Sequence, residues 1–172
     1  MPEEKKCKIV VFGAFGAGKT TLIKTLDPES RHVEAPCAGG TTTVALDFGK
    51  LHLNGCNIHL FGTPGQERFE FVREIIGKGM DGAVLLVDAT SPPNGFIRRL
   101  YDSLVAEKVP LIVFLNKCGR PGADQETYRN LFRGVAVLPV SAIDRRELSA
   151  ALEGFAVSLE PHPSGHPHLP TR

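Results

Sequence analysis

The sequence predicts an α/β fold: a doubly wound, mostly parallel six-stranded sheet with one antiparallel hairpin strand and helices on both faces. Three observations predict it. Short apolar runs recur at residues 7–12, 83–87, 111–115 and 135–140, each closing on glycine or a polar residue, as buried parallel strands do. Segments with helical spacing lie between them. Asn54-Gly55, set between two strand-like runs, is a strong two-residue hairpin signal.

Taken in order, the first strand (7–12) runs into the glycine-rich stretch GAFGAGKT, residues 13–20, and then into a helix over 20–26. Residues 27–40 (DPESRHVEAPCAGG) are rich in Pro, Gly and charge and are expected to form a surface loop; loops of this length in a compact domain usually carry function. An alternating strand over 44–53 follows Thr41, Thr42 and Thr43, and residues 56–61 return beside it. The segment FGTPGQERF (61–69) passes into a helix with Phe69, Val72, Ile75 and Ile76 on one face, ending near Gly77 and Gly79. Ser91-Pro92-Pro93-Asn94 opens a helix whose apolar face is Phe96, Ile97, Leu100, Leu104 and Val105. A short helix over 125–132 and a last helix over about 144–159 complete the set. Residues 161–172 hold four prolines and three of the six histidines and are expected to be a disordered tail. Metal binding by His162, His166 and His168 is the weaker alternative there. The domain is thus expected over 1–160 and the tail over 161–172.

At 172 residues the chain suits one domain with a full core. Its composition, 42% hydrophobic and 23% charged, is that of an ordinary globular chain. A net charge of +1 without a basic stripe gives no reason to expect nucleic acid. No apolar run is long enough to span a bilayer, and neither end carries a signal peptide or a lipidation motif, so no direct membrane anchor is expected. Cys7, Cys37, Cys56 and Cys118 are widely separated, which fits reduced thiols in a cytoplasm, acting as small buried hydrophobes.

The chemistry concentrates at the carboxyl ends of the strands, where ligands bind in sheets of this kind. Gly-x-x-x-x-Gly-Lys-Thr between a strand and a helix is a phosphate-binding loop: its glycines let consecutive N–H groups curl around an anion. Gly13, Ala14, Phe15, Gly16, Ala17, Gly18, Lys19, Thr20 and Thr21 are therefore expected to bind nucleotide, with Lys19 reaching the β- and γ-phosphates and the Thr20 hydroxyl on Mg²⁺. The helix that follows adds its positive end to the attraction.

The segments GAFGAGKT, TTTVALDF, GTPGQERF, NKCG and VSAID occur in the order found in Ras-like small GTPases, which the chain resembles over about residues 5–159. Residues 43–48 look like the first switch of Rab proteins, and the second switch is similar to that of the gliding-motility MglA proteins. The resemblance implies a P-loop NTPase that hydrolyses GTP to GDP with Mg²⁺ as a molecular switch. Effectors, exchange factors and activating proteins would be its partners. It implies Thr43 on Mg²⁺ and the γ-phosphate, the Gly65 N–H on the γ-phosphate, and Gln66 orienting the attacking water. Lys19 would stabilise the developing charge. Asn116, Lys117, Ser141 and Ala142 would bind the guanine, with the Ala142 N–H on its carbonyl. Both switches would be held by one phosphate and released when it leaves.

The chain departs from this pattern at three positions. Gly62 stands where the family has the carboxylate that holds Mg²⁺ through water. Asp47, on the neighbouring hairpin strand, either substitutes for it or faces solvent. Gly119 stands where the family has the carboxylate that reads guanine, so ATP competes with GTP as the nucleotide. Phe15 replaces a glycine of the loop and is expected to crowd Gln66, slowing turnover. Two other readings follow: a nucleotide-holding interaction module with little turnover, and a P-loop kinase, for which the chain shows no arginine-rich lid.

Overall fold

The computed structural model describes residues 4–36 and 43–159, with the side chain of Thr43 excepted. Cys37, Thr41, Thr42 and the expected tail over 161–172 lie outside the described residues. Among the described residues seven strands form one sheet in the order β2-β3-β4-β1-β5-β6-β7. They are β1 (Lys5–Phe12), β2 (Arg31–Pro36), β3 (Thr43–Leu53), β4 (Cys56–Gly62), β5 (Gly82–Asp88), β6 (Leu111–Asn116) and β7 (Ala136–Val140). The pairs β2/β3 and β3/β4 are antiparallel, and all others are parallel.

The hairpin between β3 and β4 turns at Asn54 and Gly55, whose φ values of 46° and 74° are those of a type I′ turn, and it closes on the pair Leu53 and Cys56. The seventh strand corrects the expected loop: within it, Arg31–Pro36 pairs with Thr43–Phe48 of β3 at the edge of the sheet. All six of its residues are exposed. Backbone pairing rather than an apolar face therefore holds it, and its charges and terminal proline are the residues that keep a sheet edge from pairing further.

Among the described residues five α-helices pack on the two faces: α1 (Lys19–Leu26), α2 (Glu70–Gly77), α3 (Gly95–Ala106), α4 (Gln125–Leu131) and α5 (Arg145–Val157). On one face Leu22, Ile23 and Leu26 of α1 and Leu148, Leu152 and Phe155 of α5 pack on Ile9, Val11, Ile58, Leu60, Leu86 and Phe114. On the other, Ile97, Leu100, Tyr101 and Leu104 of α3, with Tyr128 and Phe132 around α4, cover Val10, Phe12, Leu85, Val87, Val113 and Leu115. Burying each such aliphatic side chain contributes about 1.5–3 kcal/mol. Asn94, Asp124 and Asp144 cap α3, α4 and α5 by accepting the N–H three residues on. Two expected face residues turn outward: Ile75 and Val105 are exposed. No helix among the described residues is long and apolar enough to cross a membrane.

Candidate nucleotide site

The carboxyl ends of β1, β4, β5 and β6 and the amino-terminal half of the antiparallel β3 converge on one mouth. β1 ends in the loop Gly13, Ala14, Phe15, Gly16, Ala17 and Gly18, tightened by an Ala17 N–H bond to the Ala14 carbonyl. Gly18 is required at the entrance to α1: its φ is 108°, and a Cβ there would lie 2.7 Å from Asn116 Nδ2. It caps the helix without a side chain, so the first amides of α1 point into the mouth.

Lys19 folds back over the loop, and its Nζ donates to the carbonyls of Gly13 and Ala14, both at 2.8 Å. Burial pushes its ammonium down to about 8, although the Asp47 charge partly restores it. Two of its three protons are thus engaged, and the third can meet an anion in the mouth. The Thr20 hydroxyl donates to Asp47 Oδ2 at 2.7 Å, so Asp47 faces inward rather than solvent. The other oxygen, Oδ1, accepts from His32 Nδ1 on β2 at 2.7 Å. Bonds to Asp47 and Glu34 hold the His32 imidazole above its ordinary value. Asp47 itself is buried.

The segment that follows β4, residues 63–69, is seated on the loop by backbone. Thr63 donates both N–H and hydroxyl to the Val11 carbonyl, and Phe15 N–H donates to the Gly65 carbonyl at 3.1 Å. Contact is close enough that a Cβ on Gly65 would lie 2.4 Å from Phe15 N. The Phe15 ring stands in solvent, 80% exposed, and the two segments meet through their backbones. The carbonyls of Pro64, Gln66 and Glu67 are gathered by one buried guanidinium, Arg73 of α2, which lies over the Phe96 ring. Sequence patterning misses Arg73, because a charged residue inside an amphipathic helix reads as its outer face.

On the far side of the loop a cavity of about 530 Å³ is lined by Gly16, Thr21, Asn116, Lys117, Gly119 and Ser141, among others. Asn116 Nδ2 donates to the Ala17 carbonyl at 3.0 Å, and Asn116 Oδ1 accepts the Ala142 N–H at 3.0 Å. The amide expected to meet a base carbonyl is therefore already bonded to Asn116. Lys117, at φ 65°, stretches across the mouth: its Nζ donates to the Gly16 carbonyl at 3.1 Å and to Asp88 Oδ2 at 2.8 Å. Asp88 is a second residue that sequence reasoning left without a role, although its place at the carboxyl end of a buried strand signals one. Ser141 N–H donates to Glu147 Oε2, and Gly119 faces open space, with nothing within 4 Å of a Cβ built there. Thr43 opens β3 opposite Pro36, and its side chain lies outside the described residues.

The donor set fits a small hard cation beside phosphate. It offers the Thr20 hydroxyl and a buried carboxylate. Among the described residues no group of three or more His, Cys, Asp or Glu could hold a metal alone. A cation here would draw on phosphate and water, as Mg²⁺ does beside nucleotides.

The family model described as the elongation factor Tu GTP-binding domain matches residues 4–157. Among curated proteins, an uncharacterized protein of Methanocaldococcus jannaschii, MJ1339, is 38% identical over 115 residues, covering 67% of this chain and 72% of its own. Translation initiation factor IF-2 of Mesoplasma florum is 31% identical over 118 residues, which are 69% of this chain and 18% of that factor. The chain thus spans less than a fifth of that larger relative. Among solved structures, the G domain of the T. maritima FeoB iron transporter superposes with a TM-score of 0.67 at 19% identity, over 88% of this chain and 98% of that one. The Arl6 BBS3 small GTPase from Trypanosoma brucei, bound to the analogue GppNp, superposes with a TM-score of 0.63 at 15% identity, over 90% and 97%.

Proposed function

Because the chain belongs to the family of elongation factor Tu GTP-binding domains, we propose that it is a GTP-operated switch, which binds GTP and GDP with Mg²⁺ and slowly hydrolyses GTP. The observation that carries this reading is the convergence on one mouth of Lys19 and Thr20 from the phosphate loop with the backbone of the second switch at Gly65.

Lys19 holds the β- and γ-phosphates while its bonds to the Gly13 and Ala14 carbonyls fix its position. The loop N–H groups and the start of α1 take the remaining phosphate charge. Thr20 and Thr43 would hold Mg²⁺, which supplies neutralisation of phosphate charge. Gln66 orients the attacking water, and Arg73 keeps the backbone around Gln66 in place to do so. Gly65, already against the loop, reports the γ-phosphate through its N–H. Asn116 and Lys117, tied to the loop through the carbonyls of Ala17 and Gly16, flank the base, with Ser141 and Ala142 at its edge. Phe15 crowds the space that Gln66 and an incoming arginine need, so intrinsic turnover is slow, and single-turnover hydrolysis by Phe15→Gly should be faster than by the wild type. Phe71 and Ile75, exposed on α2, offer such partners an apolar contact. Reduced thiols at Cys7, Cys56 and Cys118 suit a cytoplasmic setting.

A second reading, a nucleotide-holding interaction module with relaxed base choice and little turnover, is favoured by one observation: no side chain at position 119 is present to read a base. One experiment separates them. The nucleotide carried by the purified protein is identified by chromatography, and phosphate release from GTP and ATP is followed against Lys19→Ala. Release from GTP above that control supports the switch; bound nucleotide without release supports the module.

A further inference from the structure

A carboxylate missing from the end of β4 reappears, in space, on β3. Asp47 and Gly62 are direct cross-strand partners in the antiparallel pair β3/β4, so their Cα–Cβ directions leave the same face of the sheet side by side. The room that a side chain at 62 would need is taken. A Cβ on Gly62 would lie 3.0 Å from Asp47 Cβ, 3.3 Å from Asp47 Oδ2 and 2.9 Å from Ile23 Cδ1. With glycine at 62, the Asp47 carboxylate leans across its partner strand and reaches the Thr20 hydroxyl at 2.7 Å.

That bond has a directional consequence. A hydroxyl that gives its proton to a carboxylate turns its lone pairs away from it, and a Thr20 oxygen so oriented is ready to ligate a cation. Asp47 also brings negative charge to a buried position, where His32 Nδ1 at 2.7 Å and the nearby Lys19 charge compensate it. Carboxylates that orient a metal's ligands in this way are worth about 10–100-fold in metal affinity.

We propose that Asp47 is the carboxylate of the magnesium site in this chain, acting through Thr20, and that Gly62 is the compensating position that gives it room. Asp47 is thus a positioning residue supplied from the first switch strand rather than the second. The inference rests on the reading of the mouth as a nucleotide–Mg²⁺ site.

The test measures binding of a fluorescent GDP to the full chain across a Mg²⁺ titration starting from EDTA. Four proteins are compared: wild type, Asp47→Asn, Gly62→Asp, and Asp47→Gly combined with Gly62→Asp. The readout is the Mg²⁺ concentration giving half of the affinity gain. It should rise about 10–100-fold in Asp47→Asn, an isosteric change that keeps the fold. Gly62→Asp alone should also raise it, because the new side chain displaces Asp47. The double variant should return it to within about threefold of wild type, which a merely structural role for Asp47 would not produce. An unchanged Mg²⁺ midpoint in Asp47→Asn, or no recovery in a folded double variant, overturns the proposal. Wild type that fails to bind the probe at any Mg²⁺ concentration overturns the nucleotide reading itself, and this one with it.

Discussion

The Phe15 amide donates to the Gly65 carbonyl at 3.1 Å, so the phosphate loop and the segment after β4 are joined backbone to backbone. No side chain stands between them to absorb a change. Replacing Gly65 by alanine would place a Cβ 2.4 Å from Phe15 N and 2.7 Å from the Ala14 carbonyl carbon, and neither atom can move without moving the loop. Gly65→Ala should lower stability by about 1–3 kcal/mol, the usual penalty of forced overpacking. It should also bring the affinities for GDP and a non-hydrolysable GTP analogue closer together. Denaturant unfolding and paired titrations check both effects; an unaltered preference would remove Gly65 from the switching element.

Arg73 holds the segment that carries Gln66. Its guanidinium donates to the carbonyls of Pro64 at 3.3 Å, Gln66 at 2.7 Å and Glu67 at 3.0 Å, while burial draws its pKa down from the ordinary value. Losing hydrogen bonds from a charged donor to buried acceptors removes about 1.5–3 kcal/mol. Arg73→Ala should therefore destabilise the chain by about that amount. Lysine, a point charge that cannot reproduce the planar fork, should recover less than half of it. Hydrogen exchange over residues 63–69 should quicken in both variants while that of β1 and β5 stays slow.

These two contacts also mark where sequence and structure part. β1, β5 and β6 were legible because a strand buried on both faces is a continuous apolar run, and the hairpin because Asn54-Gly55 can hold two positive φ values. The edge strand Arg31–Pro36 was not, since every one of its residues is exposed and it is held by a backbone ladder with β3 and the His32–Asp47 bond rather than by an apolar face. Arg73 was hidden for a related reason: on α2 the residue that turns inward is the charged one, while the apolar Ile75 turns out. For Asp47, strand alternation allowed two directions, and only its pairing with Gly62 decides between them. The loop glycines, Lys19 and Thr20 were legible because their spacing is itself the geometry of a phosphate cradle.

Cys7 and Cys56 meet under the sheet with their sulfurs 3.3 Å apart. Burial and the Cys56 sulfur push the Cys7 thiol up from 9.0 to about 12. The folded chain therefore keeps a proton that the unfolded chain loses above pH 9. Stability is unaffected by this group below pH 9 and falls as pH rises from 9 toward 12, by at most about 1.4 kcal/mol per pH unit. Urea unfolding at pH 8.5 and 10.5 should show a larger loss for the wild type than for Cys7→Val, which has no proton to lose. Iodoacetamide at pH 8.5 should leave Cys7 unlabelled in the folded state.

In the proposed site Gly119 leaves the base side without a carboxylate, yet a Cβ there meets nothing within 4 Å, and the residue lines the cavity beside Asn116 and Lys117. A side chain can therefore be added without displacing the fold. Guanine presents two adjacent N–H donors on the edge that a carboxylate accepts, whereas adenine offers a ring acceptor there and would be repelled. Charge-assisted pairs of this kind contribute about 1.5–3 kcal/mol. Gly119→Asp should accordingly tighten GDP binding by about 10–100-fold and leave ADP binding unchanged or weaker, as calorimetric titration of both diphosphates would show. Equal gains for both nucleotides would mean that position 119 does not face the base edge, and that selectivity rests on Asn116 and its bonds to Ala17 and Ala142.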